Sequence, residues 1–407
     1  MIWARAVTFV NARVVTRDQT ATSIRFSSRV LSFDERPKQG DTVVDLGGGF
    51  VLPGLVNAHD HLELNHYGRL KGRERYENAS AWIADMGQRL SCDPAVRVGR
   101  AYPLIERLFI GGIKNLLAGV TTVAHHNPFY PEMRRTLPIR VVRRYGWAHS
   151  FLLETRPAGA RGEPGGDIAA RWQTTPPATP FFVHLAEGVD DEARGELPKL
   201  EALGCLKPNT VIVHGVAIDE NGWRRVARTG AGLVWCPASN AFLFGETALV
   251  GTLIAGSDES RVTVALGTDS RVTGSRDLLD ELREARTALP GAAPKLLLRM
   301  VTTEAARLLR QPRAGKLAVG APADLVVVPA VADDPAAALL QTTRRDVRLV
   351  VVDGRPLVGD PDFAPVFKAR KVTVRPLRVD AFPKIGDSGL VRRIAGCPIA
   401  EPGVSVA

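Results

Sequence analysis

The hydrophobic residues of this chain follow two different patterns along its length. Residues 1–52 alternate between apolar and polar positions in short stretches that end in glycine-rich turns, which is typical of strands. From about residue 53 to 310, apolar residues gather in runs of four to seven, separated by stretches with helical spacing. Apolar runs that alternate with helices predict parallel βαβ units, and seven or eight units over about 250 residues are typical of a (β/α)8 barrel.

Each apolar run predicts one strand of this barrel. The predicted strands lie at 55–61, 119–126, 139–150, 181–188, 210–215, 231–237 and 262–270. Helices are predicted near 80–90, 100–118, 191–203, 219–229, 277–288 and 295–310. Residues 157–180 are rich in glycine and proline, and a full strand–helix–strand–helix path barely fits between His149 and His184. We therefore predict an α/β fold with a TIM-like barrel in which one unit is shortened or missing.

Strand-like sequence returns after the barrel, at 323–328 and 347–358. Because it mirrors the amino-terminal strands, both ends of the chain are predicted to form one small β-sandwich module beside the barrel. The predicted boundaries are 1–52 and 313–375 for the two parts of this module, 53–312 for the barrel, and 376–407 for an extended tail that contains several prolines.

Composition adds limits to this picture. The chain has 407 residues, of which 45% are hydrophobic and 24% charged, as in globular proteins. No apolar run approaches the roughly 18–20 residues that cross a bilayer, so no membrane association is predicted. The four cysteines, Cys92, Cys205, Cys236 and Cys397, form no C-x-x-C pair, which favours reduced thiols and a cytoplasmic location.

The formal charge of +10 raises the question of a nucleic-acid partner. The basic residues are mostly arginines scattered along the chain, whereas nucleic-acid-binding segments concentrate basic residues and interleave aromatics. We therefore expect a small-molecule substrate and no nucleic-acid partner. An anionic substrate remains compatible with the charge.

Residues suited to metal binding or proton transfer follow four predicted strands. They are His59 and His61, His184 with Glu187 just beyond it, His214, and Asp269. The carboxyl ends of barrel strands meet at one mouth, so these side chains are expected to converge. Alternate strand residues share a face, which lets His59 and His61 bind one cation while Asp60 points away. Imidazoles and a carboxylate suit Zn²⁺ or Fe²⁺.

Each of these residues also has a structural explanation. His184 could be a satisfied core histidine, His214 a turn residue, and Asp269 a helix N-cap. These explanations would have to hold independently at four strand ends, so the metal-site interpretation is favoured.

Five segments, in this order, carry a resemblance to a known family: GGGFVLPGLVNAHDHLE, HLAEG, VIVHG, WCPASN and LGTDS. They resemble the amidohydrolase superfamily, and most of all its branch of cytosine, guanine and adenosylhomocysteine deaminases and triazine hydrolases. GKLAVGAPADLVVV at 315–328 resembles the stretch by which that group leaves the barrel, and the resemblance covers roughly residues 40–355. One departure is Asp60, where the family often has threonine.

The resemblance implies a mononuclear metal-dependent hydrolase that cleaves a C–N bond. The expected reaction is hydrolytic deamination of a heterocyclic or amidine-type small molecule through a metal-activated water. One divalent ion, Zn²⁺ in the first place and Fe²⁺ as the alternative, would be bound by His59, His61, His184 and Asp269. Glu187 would shuttle protons, His214 would contact the substrate or water, and Asp269 would also accept a proton from that water. A homodimer is mildly favoured.

Substrate-binding candidates lie after the first motif and at neighbouring strand ends. They are Glu63, Arg73, His125, His126 and Asn240. Since adjacent strand residues face opposite sides, at most one of His125 and His126 is expected to point into the barrel.

Other interpretations stay open at this point. Ring-opening of a cyclic amide, as in imidazolonepropionase-like relatives, would use the same residues. A metal-binding protein without activity predicts a lost proton shuttle, yet Glu187 is present. A two-metal centre bridged by a carboxylated lysine is disfavoured because no lysine lies between Lys114 and Lys199. Glu154 could bridge two metals, but it is more expected to face solvent or pair with Arg156.

Overall fold

The structure, a computed structural model, describes residues 5–16, 20–151, 167–255 and 261–406. Seven short strands occupy the amino-terminal part, as the alternating pattern predicts. They are β1 (Val7–Val10), β2 (Arg13–Val15), β3 (Thr20–Ala21), β4 (Ile24–Phe26), β5 (Val30–Phe33), β6 (Thr42–Asp45) and β7 (Phe50–Pro53). Four of them form a sheet in the order β5-β4-β1-β6, and the other three join a larger sheet described below.

Eight strands follow in the described part of the region predicted to be the barrel. They are β8 (Leu55–Asp60), β9 (Val120–His125), β10 (Arg140–Val141), β11 (Gly146–Ala148), β12 (Phe181–Leu185), β13 (Thr210–His214), β14 (Gly232–Trp235) and β15 (Thr263–Leu266). They form two sheets, β10-β9-β8 and β11-β12-β13-β14-β15, and every pair is parallel. Within the described residues, no strand ladder joins the two sheets into one closed barrel. Where the edge strands β15 and β8 of the two sheets lie side by side, the amide of Asp269, just after β15, donates to the carbonyl of His59 on β8 at 3.2 Å.

The helices lie mostly between these strands, as βαβ units require. Before β12 they are α1 (Ala79–Cys92), α2 (Pro94–Ala101), α3 (Leu104–Leu117), α4 (Met133–Thr136) and α5 (Ile168–Gln173). After it come α6 (Asp191–Arg194), α7 (Glu196–Ala202), α8 (Glu220–Thr229), α9 (Pro237–Phe244), α10 (Val250–Ala255), α11 (Leu278–Ala288), α12 (Pro294–Met300) and α13 (Thr303–Leu308). None of the helices in the described ranges is long and apolar enough to cross a membrane.

The run predicted as one strand at 139–150 differs from the prediction, because it contains two short strands. β10 pairs with β9 and β11 pairs with β12, and only residues 142–145 separate them. Arg143 and Arg144 are exposed there, which interrupts the buried run. Four residues cannot hold a crossover helix, which needs about ten or more.

The carboxyl-terminal part adds six strands and three helices. They are β16 (Leu325–Val328), α14 (Pro335–Gln341), β17 (Leu349–Val352), β18 (Arg355–Gly359), α15 (Ala364–Ala369), β19 (Val374–Val379), β20 (Phe382–Asp387), α16 (Ser388–Ala395) and β21 (Val404–Val406). These strands join the remaining amino-terminal ones in a nine-stranded sheet, β21-β19-β20-β18-β17-β16-β7-β2-β3. β7 and β16 pair antiparallel at its junction, so strands from both ends of the chain share one sheet.

The segment predicted to be an extended tail from 376 differs from that prediction. It holds most of β19, all of β20, α16 and β21. Pro376 and Pro383 lie opposite Ile385 and Arg378 in the β19–β20 hairpin. Prolines are tolerated in strands where the missing N–H is not needed for the ladder, so their number alone is a weak sign of disorder.

Apolar side chains of the parallel strands form a buried cluster next to the polar residues at the strand ends. Val56 and Ala58 of β8 pack in one buried cluster with Phe182, Val213 and Val234 from β12, β13 and β14. Burial of such groups stabilises the fold by about 25 cal/mol per Å² of apolar surface. The cluster therefore holds the ends of these strands in fixed relative positions.

Candidate metal centre and active site

His59 and His61 lie at the end of β8 with their rings close together. The ring centroids are 5.0 Å apart, and His59 is only 1% exposed. The register of β8 against β9 shifts between Asn57 and Asp60, so the strand is irregular where the two histidines begin. Gly267 allows β15 to approach: a Cβ at that position would lie 2.6 Å from the Cβ of His59. The Nε2 of His59 is buried and has no hydrogen-bond partner among the described residues.

Asp269 faces the two histidines from the end of β15. Its Oδ2 accepts hydrogen bonds from Ser239 Oγ at 2.8 Å and Thr273 Oγ1 at 2.7 Å. Its Oδ1 lies 3.9 Å from His59 Nε2 and 3.7 Å from His61 Nε2. Burial opposes ionisation, but the field of His61 and His214 and the Thr273 hydroxyl lower the pKa of Asp269 to about 2. Asp269 is therefore an anion at neutral pH, with one oxygen held by hydroxyls and the other directed at imidazoles.

His184, on β12, completes this group. Its ring centroid lies 5.0 Å from that of His59 and 5.5 Å from that of His61. One donor atom from each of His59, His61 and Asp269, and one from each of His59, His184 and His214, lie within 4.8 Å of one another. Burial lowers the pKa of His59 and His184 well below the usual value, so their rings are neutral and carry a free electron pair.

This donor set fits a divalent metal ion. Tetrahedral zinc sites have Zn–N bonds of about 2.0–2.1 Å, which puts neighbouring donors about 3.4 Å apart. The buried Nε2 of His59 without a partner is the observation that most favours an ion, because buried polar atoms are otherwise almost always hydrogen-bonded.

Glu187 and His214 lie beside this donor set. His214 Nε2 is 3.4 Å from Glu187 Oε1, and the other ring nitrogen, Nδ1, is 2.8 Å from Asn240 Oδ1. Since an amide oxygen only accepts, Nδ1 carries the proton and donates it to Asn240. Burial raises the pKa of Glu187 to about 7; His214 opposes this shift and Asp269 adds to it. A carboxyl group with this pKa can both accept and release a proton near neutral pH.

The turn that carries Glu187 is held in an unusual backbone conformation. Ala186 has a φ of 53°, in the left-handed region that non-glycine residues rarely adopt. Its amide donates to the buried carboxylate of Glu196 at 2.6 Å. His214 and Asp269 also have positive φ, 74° and 50°. Strained residues of this kind concentrate at functional sites, where the surrounding structure fixes them.

The two adjacent histidines after β9 point in opposite directions. The ring of His126 lies 5.0 Å from that of His59 and 4.2 Å from that of His184, so it borders the donor set. His125 instead lies 3.7 Å from Glu63 Oε2 through its Nδ1 and accepts from the amide of Leu62 at 3.4 Å. The expectation that at most one of the pair faces the centre agrees with this arrangement.

Of the remaining residues predicted to bind substrate, two are buried and hydrogen-bonded inside the protein, and one lies on the surface. Glu63 is buried and accepts from the amide of Asn127. Asn240 is fully buried between His214 and Thr247, so its position suits holding His214 more than touching a substrate. Arg73 is half-exposed and pairs with Glu77 at 3.5 Å on the surface.

Asp60 points away from the histidines, as strand geometry predicts, and meets a buried lysine. Lys114 of α3 donates to Asp60 Oδ2 at 3.2 Å, Asn65 Oδ1 at 2.8 Å, Thr268 Oγ1 at 3.0 Å and the carbonyl of Asp269 at 3.3 Å. Neither Lys114 nor Asp60 has any exposed side-chain surface. This network connects β8, α3 and the end of β15 directly behind the donor set. The ion pair with Lys114 also explains how an aspartate is accommodated at position 60, where the family that the sequence resembles often has threonine.

The sequence did not reveal several residues that support the site. Ser239 and Thr273 hold Asp269, Lys114 and Thr268 hold the region behind it, and His149 lies beside His126 with ring centroids 5.7 Å apart. Ser239 stands next to Asn240 in a segment that the resemblance had already marked, so it could have been found. Glu154, considered as a metal bridge, lies outside the described residues. A cavity of about 1030 Å³ lies elsewhere and is lined by residues such as Pro53, Arg261 and Glu304, none of them at these strand ends.

Comparison with known proteins confirms the family resemblance. Residues 182–357 match the Amidohydrolase family. The chain is 28% identical over 370 residues to 5-methylthioadenosine/S-adenosylhomocysteine deaminase of Syntrophobacter fumaroxidans, covering 78% of this chain and 82% of that protein. It is 27% identical to 8-oxoguanine deaminase of Pseudomonas aeruginosa, covering 76% and 82%.

The fold is also similar to solved structures. Atrazine chlorohydrolase of Arthrobacter aurescens, determined in complex with zinc, superposes with a TM-score of 0.68. The two chains are 20% identical, and the similarity covers 87% of this chain and 95% of that one. At this identity the similarity establishes the TIM-barrel type of α/β fold and no more.

Proposed function

Because residues 182–357 carry an amidohydrolase domain, we propose that the protein is a metal-dependent hydrolase that deaminates a heterocyclic small molecule. The observation that carries this proposal is the position of Glu187. Its carboxyl group, with a pKa of about 7, lies 3.4 Å from His214. His214 shares one group of close donor atoms with His59 and His184, and His59 shares another with His61 and Asp269. A proton carrier next to a metal donor set is an arrangement that can hydrolyse a C–N bond, because the ion would activate water and the carboxyl group would transfer protons.

We further propose that β8 to β15 enclose this site as a TIM-type barrel in which the unit at β10 and β11 is shortened. The hydrogen bond between Asp269 and His59, which links β15 to β8, and the four-residue connection at 142–145 support this arrangement. The nine-stranded and four-stranded sheets would form the accessory β module. The boundaries at 1–52, 53–312 and 313–375 remain predictions.

The proposed ion is a single one, held by His59, His61, His184 and Asp269 through Oδ1. Three neutral nitrogens and one carboxylate oxygen form a donor set that suits Zn²⁺, and Fe²⁺ is the alternative. When bound, such an ion lowers the pKa of a coordinated water to about 7 and so supplies a nucleophile at neutral pH.

The protein side chains supply the proton transfers and the orientation. In the balanced reaction the oxygen of water bonds to the ring carbon, the bond from that carbon to the exocyclic nitrogen breaks, and ammonia leaves. Glu187 can take the first proton of the water at Oε1 and deliver it to a ring nitrogen, where it stays in the product. Asp269 can accept the second proton of the water, and this proton then passes to the leaving nitrogen, which departs as ammonia. His214, held by Asn240 through Nδ1, places its Nε2 beside Glu187, where it would contact the substrate or water.

The named relatives suggest the substrate class. One is a deaminase of 5-methylthioadenosine and S-adenosylhomocysteine, and another is a deaminase of 8-oxoguanine. We propose that this protein acts on a purine-like or similarly nitrogen-rich ring that bears an amino group.

The test is an ammonia-release screen with purified metal-loaded protein over purines, pyrimidines, triazines, pterins and guanidino compounds. A parallel panel of cyclic amides, followed by ring absorbance, covers the alternative of ring opening. Ammonia release from at least one amino-substituted ring is expected. Ring opening of a cyclic amide with no ammonia from any amino-substituted ring would refute deamination.

Glu187→Gln provides the matched variant. It keeps the size of the side chain and lies outside the proposed ligand set, so metal content should stay at about one per chain. Turnover should fall by about 10²-fold or more, because proton transfer by a positioned side chain contributes about 10²–10⁴ in rate. Unchanged turnover would remove Glu187 from the mechanism. Full metal content in His59→Ala would refute the proposed ligand set.

A further inference from the structure

A second group of histidines lies next to the proposed metal centre. One donor atom from each of His126, His149 and His184 lies within 4.8 Å of the others. The ring of His126 is 4.2 Å from that of His184 and 5.7 Å from that of His149. These residues come from the ends of β9, β11 and β12, so strands of both parallel sheets contribute to the group. The group shares only His184 with the ligands proposed above.

His126 has the arrangement of a metal ligand whose second nitrogen is held by the protein. Its Nε2 lies 3.1 Å from the carbonyl of Ala148, which can only accept, so Nε2 carries the proton. Its Nδ1 is then the nitrogen with a free electron pair, and this atom is buried without a hydrogen-bond partner in the described part of the chain. Metal-binding histidines commonly donate their other N–H to a carbonyl or carboxylate in this way.

The surroundings favour a cation over a further hydrogen bond. His126 and His184 are buried, at 1% and 8% exposed, so bulk water has little access to their ring nitrogens. His149 is half-buried, which leaves a side from which an ion and its waters can enter. Three imidazoles with an open position form a donor set known from open zinc sites.

We propose that His126, His149 and His184 form a second divalent-ion site that is filled only when metal is in excess. A neutral imidazole has one free electron pair, so His184 can bind one ion at a time. The second ion must therefore either displace the first from His184 or bind through His126 and His149 alone. Binding at the second site is weaker than at the first for this reason. It also predicts that excess Zn²⁺ weakens binding at the first site.

The test measures bound Zn²⁺ per chain by equilibrium dialysis and elemental analysis, from limiting to excess metal. The wild-type protein should bind about one ion at limiting Zn²⁺ and about two in excess. His149→Gln should saturate at about one, and His126→Gln should do the same. Retention of one bound ion shows that each variant is folded.

His66→Gln is the matched control, because it also exchanges a partly buried histidine for glutamine. The ring of His66 bonds the carbonyl of Gly99 at 3.0 Å, outside both groups. This variant should bind about two ions in excess Zn²⁺, as the wild type does. A wild type that saturates at one ion, or a His149→Gln variant that still binds two, would overturn the proposal.

The second site rests on the proposed function only through His184, so the two can fail separately. His61→Ala removes a ligand from the first site alone. If wild type and His149→Gln both saturate at one ion and His61→Ala binds none, the second site is refuted while the proposed metal centre stands. If His61→Ala keeps the tightly bound ion and His149→Gln loses it, the first site is misassigned and the second group is the principal one.

Discussion

Replacement of Lys114 by methionine tests whether the network behind the metal centre stabilises the protein. Methionine fills a similar volume but donates no hydrogen bond, so the change removes a charge with little cavity formation. It leaves the buried carboxylate of Asp60 without its cation. It also removes one of the donors to the side-chain oxygen of Asn65, at 2.8 Å, and one of the donors to the carbonyl of Asp269, at 3.3 Å.

The expected cost follows from these contacts. Breaking one half of a buried ion pair costs about 3–5 kcal/mol. Asp60 keeps neutral donors from Asn57, Asn65, Asn115 and Thr268, which moderate the penalty, so we expect about 3–4 kcal/mol. At roughly 1.2 °C per kcal/mol for a chain of this size, Tm should fall by about 4–5 °C.

The assay is thermal unfolding of metal-free protein followed by circular dichroism, so that loss of a bound ion does not contribute. Asp60→Asn combined with Lys114→Met removes both charges and should recover at least half of the lost Tm, since a buried pair replaced by neutral groups is often nearly neutral in stability. Lys38→Met makes the same chemical change in a pair with Glu35 that is largely exposed, and should shift Tm by less than about 2 °C. The reasoning is refuted if Lys114→Met matches this control, or if the double variant is no more stable than the single one.

Three further predictions concern the side chains around the metal centre. Ser239→Ala removes one of the two hydroxyls that hold Asp269 and should weaken Zn²⁺ affinity about 10–100-fold, measured by competition with a chelator. Asn240→Ala frees the ring of His214 and should lower kcat by about tenfold or more while metal content is retained; an unchanged kcat would show that the hydrogen bond does not orient His214. The raised pKa of Glu187, about 7, means that its carboxylate forms only as pH rises through 7, so kcat/KM should increase across that range if the carboxylate first accepts a proton. A kcat/KM that is flat between pH 5.5 and 8.5, roughly the span over which such a group titrates, would contradict this role.

The strands that carry the centre could be predicted from sequence because their side chains are buried on both faces. Apolar runs of that kind are typical of parallel strands, and polar residues at their ends stand out against them. His59, His61, His184, Glu187, His214 and Asp269 were found by this contrast. Asp60 could be assigned to the opposite face because side chains alternate along a strand.

Features that depend on contacts between distant segments could not be predicted. Lys114 lies in an amphipathic helix, where a lysine normally indicates a solvent-exposed face, and only the fold brings it to Asp60. The split of residues 139–150 into β10 and β11 depends on which neighbour each half pairs with, and hydrophobicity alone does not contain that information. The tail was misjudged for a similar reason, because the ladder between β19 and β20 accommodates its prolines.

One short helix, α9, contacts both a proposed metal ligand and the histidine beside the proposed proton carrier. α9 begins just after β14, and its first turn supplies both Ser239 and Asn240. Ser239 fixes Asp269, a proposed metal ligand, while Asn240 fixes His214, the neighbour of Glu187. Asp269 and His214 both have positive φ, a conformation that costs about 1–3 kcal/mol and persists only where surrounding contacts impose it. The start of α9 supplies such contacts to both residues, so a shift of this helix would disturb the metal donors and the proton carrier together. This gives a physical reason why WCPASN, which contains no metal ligand or proton carrier, is among the segments that carry the family resemblance.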